Sequence, residues 1–297
     1  MRRLWIVGAV VSSLLLAACG ATANINQAIS SIGGSSSLQV HLTADASGTG
    51  SVQAEGILSA VSIDMNYQST NGGALSQSAG HVDSAFTVTY SGQQLIELRQ
   101  VNTDLFVRVD LSALAQIPGL GVSAQQLSAF QLLLGGRWFE FSESLLKSFT
   151  TTTTIDPAQS SKAQAAARAM IDAITALIEK TPYTTLPSGG YSQTGTLESV
   201  ANAVVPIVNA YTGRSIKPGT VKGTYAITFS MSGSTATGGS FSITAPNSKG
   251  ANATIGLHAS ITHDNQAIVA PTGATIITRS MLTQLLGQVG GASSLLG

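Results

Sequence analysis

The sequence predicts an α+β domain in which helices gather on one side of an antiparallel sheet. Three observations lead there. Apolar and polar residues alternate with period two in segments of both halves, as in strands with one buried face. A long apolar stripe at helical spacing lies between those halves. The stretch joining the halves near residue 155 is short, and the stripe needs a sheet to cover, which favours one domain over two β domains in tandem.

Residues 20–37 are small and polar, with a short helix expected over 24–32, Asn24 as its N-cap and Gly33-Gly34 as its end. The first strands follow. Leu38, Val40 and Leu42 alternate with Gln39, His41 and Thr43; Val61, Ile63, Met65 and Tyr67 alternate with Ser62, Asp64 and Asn66. Phe86, Val88 and Tyr90 alternate with Thr87 and Thr89; Leu105, Val107 and Val109 alternate with Phe106, Arg108 and Asp110. Residues 111–134 read as short helical turns around Pro118-Gly119, and Thr150 to Thr154 as an extended linker.

The central helix has Asp156 as N-cap, Pro157 at the first position and a stripe of Ala167, Met170, Ile171, Ile174, Leu177 and Ile178. A second helix is expected from Leu197 to Ala210, interrupted or restarted at Pro206. In the second half, Tyr225, Ile227, Phe229 and Met231 alternate with Thr224, Ala226, Thr228 and Ser230. Phe241 and Ile243 oppose Ser240, Ser242 and Thr244; Ala253, Ile255, Leu257, Ala259 and Ile261 oppose Thr254, Gly256, His258, Ser260 and Thr262. Gly238-Gly239 and Asn247-Ser248-Lys249-Gly250 read as hairpin turns, and Met281 to Leu286 as a short terminal helix before a Gly/Ser tail. The strands thus carry one apolar and one hydroxylated face.

Of 297 residues, 14 are Lys or Arg and 14 are Asp or Glu. Charged residues are 9% of the chain, against roughly 25% in an average soluble protein. Serine (38) and threonine (31) supply much of the polar surface instead. Nucleic-acid binders draw their affinity from clustered Lys and Arg, so that class is excluded. With 43% hydrophobic residues, a charge-rich disordered chain is excluded too.

Met1-Arg2-Arg3, the apolar run Leu4 to Leu16, and Leu16-Ala17-Ala18-Cys19 form the n-region, h-region and small-residue end of a secretory signal. The run is too short for a permanent spanning helix. Leu-Ala-Ala-Cys resembles a bacterial lipobox, which implies a diacylglyceryl group on the Cys19 thiol and cleavage before it. Two acyl chains hold a protein stably on a membrane, so the expected partner is the membrane through diacylglyceryl-Cys19. Cys19 is the sole cysteine, so no disulfide is expected. Loss of residues 1–18 leaves 12 cations against 14 acids, a net −2. The expectation is that no basic patch remains for anionic headgroups and that any further lipid contact is apolar.

Catalytic and metal motifs are absent: no Gly-x-Ser-x-Gly elbow, phosphate loop, His-Glu-x-x-His or Gly-x-Gly-x-x-Gly occurs. His41, His81, His258 and His263 read as ordinary polar positions. Glu140 with Glu143, and Asp104 with Asp110, are the paired carboxylates, read as solvated edge residues rather than acid–base pairs. Asn252-Ala253-Thr254 matches a glycosylation sequon only weakly. No enzyme activity, cofactor or metal is expected.

Asn102 to Asp110, then Gly135-Gly136-Arg137-Trp138-Phe139-Glu140-Phe141, and a late strand pair followed by Ile268-Val269-Ala270-Pro271 carry a resemblance. With the lipobox, the layout resembles LppX/LprG-type actinobacterial envelope lipoproteins, related in fold to LolA-like carriers. The resemblance implies a strongly bent antiparallel sheet, a half-barrel, with helices on its concave side and an apolar cavity between. It also implies an acylated lipid ligand, carried at the outer face of the cell membrane, and no catalytic residues. The long insert at 111–134 and the Thr run depart from the family layout.

The expected cavity lining combines Met170, Ile174 and Leu177 of the central helix with Ile227, Phe229, Met231, Ile255, Leu257, Ala259 and Ile261 of the late strands. The expected organisation is a signal peptide at 1–18, a lipidated tether at 19–36, one carrier-like domain at 37–286 and a tail at 287–297. The competing readings are a non-catalytic surface adhesion or scaffold module with a filled core, and a hydrolase of unrecognised type.

Overall fold

A computed structural model describes residues 30–281, apart from 79, 119–134, 151–156, 188, 218–220, 248 and 264–266. Cys19, the expected caps Asn24 and Asp156, most of the 111–134 insert and the chain beyond Met281 lie outside the described residues. Among the described residues no helix is long and apolar enough to cross a membrane.

Among the described residues twelve strands make one open, mostly antiparallel sheet: β1 (Ser37–Ser47), β2 (Val61–Ser69), β3 (Val82–Tyr90), β4 (Gln93–Val101), β5 (Asp104–Val109), β6 (Trp138–Phe141), β7 (Thr184–Thr185), β8 (Tyr191–Thr196), β9 (Thr224–Ser232), β10 (Thr235–Pro246), β11 (Asn252–Thr262) and β12 (Thr275–Ile276). Their spatial order is β12-β6-β5-β4-β3-β2-β1-β11-β10-β9-β8-β7. β1 pairs with β2 on one side and β11 on the other, so both halves of the chain share one sheet. Among the described residues only β12 with β6 is a parallel strand pair.

The hairpins follow local turn chemistry. Ser91-Gly92 joins β3 to β4 with φ of 49° and 78°, the paired left-handed conformation of a mirror-image turn. β4 was not foreseen because the register against β3 shifts between Val88 and Thr89, which breaks the alternation around buried Leu95. Gly238-Gly239 is not a turn but lies within β10, at a register shift against β9. A Cβ on Gly238 would sit 2.3 Å from the Ala259 carbonyl oxygen, so the pair marks a close backbone approach; the turn is at Gly233-Ser234 instead.

The helices are α1 (Val52–Ala60), α2 (Leu111–Leu114), α3 (Glu143–Thr150), α4 (Pro157–Lys180) and α5 (Leu197–Thr212). Residues 30–34 are also helical, running through Gly33-Gly34 rather than stopping before them. α1 was not foreseen; the Ser51 hydroxyl accepts from Ala54 N–H, and Glu55 Oε1 accepts from Thr49 N–H at 2.7 Å. Glu140 lies in β6 and Glu143 follows it, opening α3, while Thr150 closes that helix instead of starting a linker.

α5 runs without a break through Pro206, correcting the expected interruption. A strong N-cap at Thr196 and the left-handed Gly213 (φ 71°), whose N–H donates to Asn209 O, hold its two ends. α4 is fastened to the sheet at its C-terminus. The buried Gln193 amide on β8 donates to Ile178 O and Thr181 O, both at 2.6 Å, satisfying carbonyls that the helix end leaves open.

Candidate functional site: an apolar sheet face, part covered and part open

Register puts the apolar side chains of successive strands into continuous rows. One row runs from β5 to β11 through Val109, Ile96, Val88, Ile63, Leu42 and Ala259, then crosses Gly239 to Phe229 and Tyr191. The next row is Ala44, Leu257, Phe241, Ile227 and Gln193; the one beyond is Ala46, Ile255, Ile243, Tyr225 and Gly195. These two rows carry no Lys, Arg, Asp, Glu or His.

Coverage of this face is uneven. Over β9, Ile174, Leu177 and Ile178 of α4 pack with Tyr225, Ile227 and Phe229, joined by Leu197 and Val200 of α5. A second cluster joins Leu38, Val40, Met65, Ala236 and Ile261, with Met231 and Ala259 against it. A third joins Phe139, Leu145 of α3 and Ile277. Between the first two, on β10 and β11, the face is open: Phe241 is 37% exposed, Ile255 46% and Leu257 51%, while Ile227 in the same row as Leu257 is 8% exposed.

The expected lining residues are therefore not brought to one place. Ile174, Leu177, Ile227 and Phe229 belong to the packed cluster under α4, and Met231, Ala259 and Ile261 to the second cluster. Met170 is half-buried on α4. Ile255 and Leu257 face solvent rather than an enclosed space, because no described helix lies over their end of β11.

The opposite face is polar and largely bonded to itself. Thr228 pairs with Ser240 at 2.6 Å, Thr244 with Thr254 at 2.9 Å, and Ser62 with Thr89. His41 Nδ1 lies 2.7 Å from Asp64 Oδ1, and His258 Nε2 lies 2.6 Å from Asp45 Oδ1. The segment after β11 straps this face: Ile268 N–H donates to Gln68 Oε1 and Arg99 Nη1 donates to Val269 O.

The two sequence elements around Arg108 and Trp138 meet here. The buried Glu97 carboxylate takes Arg99 Nη2 at 2.7 Å on one oxygen and Arg108 Nη2 at 2.5 Å on the other. Both guanidinium carbons stand over the Trp138 ring, at 4.9 Å and 5.0 Å from its centre. Beside them is a cleft of about 400 Å³, lined by polar residues that include Gln93, Gln94, Glu97, Arg108, Asp110 and Gln116. Its charged groups are already partnered: Arg108 bonds Glu97 and Gln94, and Asp110 caps α2. Asp104, paired in sequence with Asp110, accepts instead from Glu143 N–H. Among the described residues no group of three His, Cys, Asp or Glu is placed to hold a metal ion.

No family model and no curated protein matches this chain. The functional reading accordingly stands on the face and on the sequence.

Proposed function

We propose that this chain is a membrane-anchored envelope lipoprotein, held at the outer face of the membrane by diacylglyceryl-Cys19, that takes the acyl chains of a lipid onto the apolar face of its sheet and carries them. The reading extends to the sheet's shape: a bend into a half-barrel with helices on the concave side makes the open strip a trough. Cargo recognition is non-catalytic and needs no cofactor.

The observation that supports it is the exposed row end at Phe241, Ile255 and Leu257, continuous by register with the packed apolar face and free of charge. Together these three residues expose about 250 Å², approaching the few hundred Å² of the largest apolar patches on monomers, which are often functional. Covering that area with acyl chain contributes about 6 kcal/mol before ordering costs. The layout and lipobox resemblance to LppX/LprG-type lipoproteins adds to the same reading.

The second reading, a surface adhesion or scaffold module with a filled core, draws on the packing under α4 and on the polar character of the cleft beside Glu97. Extraction and mass spectrometry of protein purified from its native membrane separates the two. Stoichiometric acylated lipid supports the carrier; none, with the apolar strip still exposed, supports the module. Intact mass of the purified chain tests the anchor: acyl mass on a chain beginning at Cys19 is expected, and its persistence in Cys19→Ser refutes the assignment.

A further inference from the structure

Near-neutral overall charge hides a strong local segregation. Between Glu198 and Asp264 there is no acidic residue, yet this stretch carries Arg214, Lys217, Lys222 and Lys249. Three of those cations lie in the connection that follows α5. Both described ends of that connection are bonded to the helix. Asn209 grips Ile216 at both backbone groups, donating from Nδ2 to Ile216 O and accepting Ile216 N–H on Oδ1, each at 2.9 Å. At the far end, Leu197 N–H donates to Gly223 O. The described ends of the connection therefore sit at opposite ends of the helix, about 24 Å apart for a helix of this length.

Its side chains alternate in character. Tyr211, Ile216 and Val221 are exposed apolar or phenolic groups, interleaved with exposed Arg214, Lys217 and Lys222. Lys162 of α4 adds a fourth cation, 5.8 Å from the Tyr211 ring centre. Arg214, Lys217 and Lys222 have no ion-pair partner among the described residues.

From this ridge we infer a docking surface for an anionic lipid bilayer. Lys and Arg next to such a surface gain from its negative potential, while aliphatic and phenolic side chains between them enter the headgroup boundary. The occupant follows from that pairing. A polyanion such as a nucleic acid satisfies the cations but leaves Ile216 and Val221 in water. The inference runs against the expectation that no basic patch remains: the net charge of the mature chain is negative, but four of its twelve cations, Lys162, Arg214, Lys217 and Lys222, lie on or beside this connection. The inference is independent of the cargo reading, since it involves neither β10 nor β11.

The test is sedimentation of the mature chain, residues 19–297, with vesicles of phosphatidylcholine and phosphatidylglycerol at three to one, and of phosphatidylcholine alone. Every protein carries Cys19→Ser, so that neither an acyl group nor the apolar run Leu4–Leu16 adds to binding. Lys217→Gln should weaken binding to the anionic vesicles about fivefold. The triple variant Arg214→Gln, Lys217→Gln, Lys222→Gln should weaken it about a hundredfold, and high salt should abolish the difference. Ile216→Ser should weaken it by about fivefold with all cations kept. All substituted sites are exposed, and melting temperatures matching the parent verify the fold. Equal sedimentation of parent and triple variant, or equal binding of the parent to the two vesicle types, overturns the inference. So does tighter binding to single-stranded DNA than to anionic vesicles at matched charge, which assigns the ridge to a nucleic acid.

Discussion

Leu257→Ala and Ile227→Ala remove the same number of methyl and methylene carbons from one row of the sheet, so they weigh coverage directly. Full burial of such a side chain is worth about 1.5–3 kcal/mol. Leu257 keeps 51% of its surface in water, so the fold realises about half of that, and Leu257→Ala should cost about 1 kcal/mol. Ile227 keeps 8% and packs against α4; its removal also leaves a cavity, for a cost of about 3 kcal/mol. Urea unfolding reads both as shifts in midpoint at constant slope. Binding of a fluorescent sixteen-carbon fatty acid supplies the functional arm. If acyl chain covers the exposed half of Leu257, Leu257→Ala loses about 1 kcal/mol of affinity, or about fivefold. Equal destabilisation by the two substitutions would mean that Leu257 is covered in the folded protein, and the open-strip argument fails.

Three further outcomes follow from other parts of the molecule. Glu97→Gln leaves Arg99 and Arg108 without their shared carboxylate and should cost about 2 kcal/mol in urea unfolding; a loss below about 0.5 kcal/mol would mean that the cluster is solvent-screened. Pro206→Ala restores an N–H inside α5 and should raise stability by about 2 kcal/mol, the interior-proline penalty of about 3 less about 1 for the freer unfolded chain; a lower melting temperature contradicts this. The Asp110 carboxyl is held below its ordinary value chiefly by the Ser112 hydroxyl, then by the Ala113 and Ser112 amides and Arg108. A lowered folded pKa gives stabilisation that is present above the unfolded value and lost as pH falls through the folded one. Asp110→Asn should therefore shrink the acid-dependent part of stability below about pH 4, and an unchanged pH profile refutes the cap's role.

Seven of the strands are legible because alternation runs for several residues in each: β1, β2, β3, β5, β9, β11 and, beyond Gly239, β10. α4 was legible from Pro157 and its stripe. α1 was not, because it buries none of its residues and so carries no apolar stripe. β4 was hidden by the bulge at Leu95, and Gly238-Gly239 looks like a turn wherever strand backbones approach too closely for a side chain. The site was half legible. Alternation identifies which residues share a face, but Ile227 and Leu257 have the same local pattern and differ sixfold in exposure. What separates them is where α4 docks, and Gln193 sets that from a strand distant in sequence from β11. The grouping of Arg214, Lys217 and Lys222 is invisible in the net charge and legible only along the chain, in a stretch without acids.

An open twelve-stranded sheet has two outermost strands, and here each is only two residues long. At one border Thr184–Thr185 is bracketed by Pro182 and Pro187, neither of which has an N–H to offer a neighbour. At the other, Thr275–Ile276 lies parallel to β6, reached by the strap from the polar face. A second molecule arriving edge-on meets only two residues of outermost strand on either side, and at the β7 border the strand exposed beyond them is Gln193–Thr196 of β8, which β7 does not cover. Any growth of the sheet through that border would have to start on those four residues, past a proline-bracketed strand that offers little to copy.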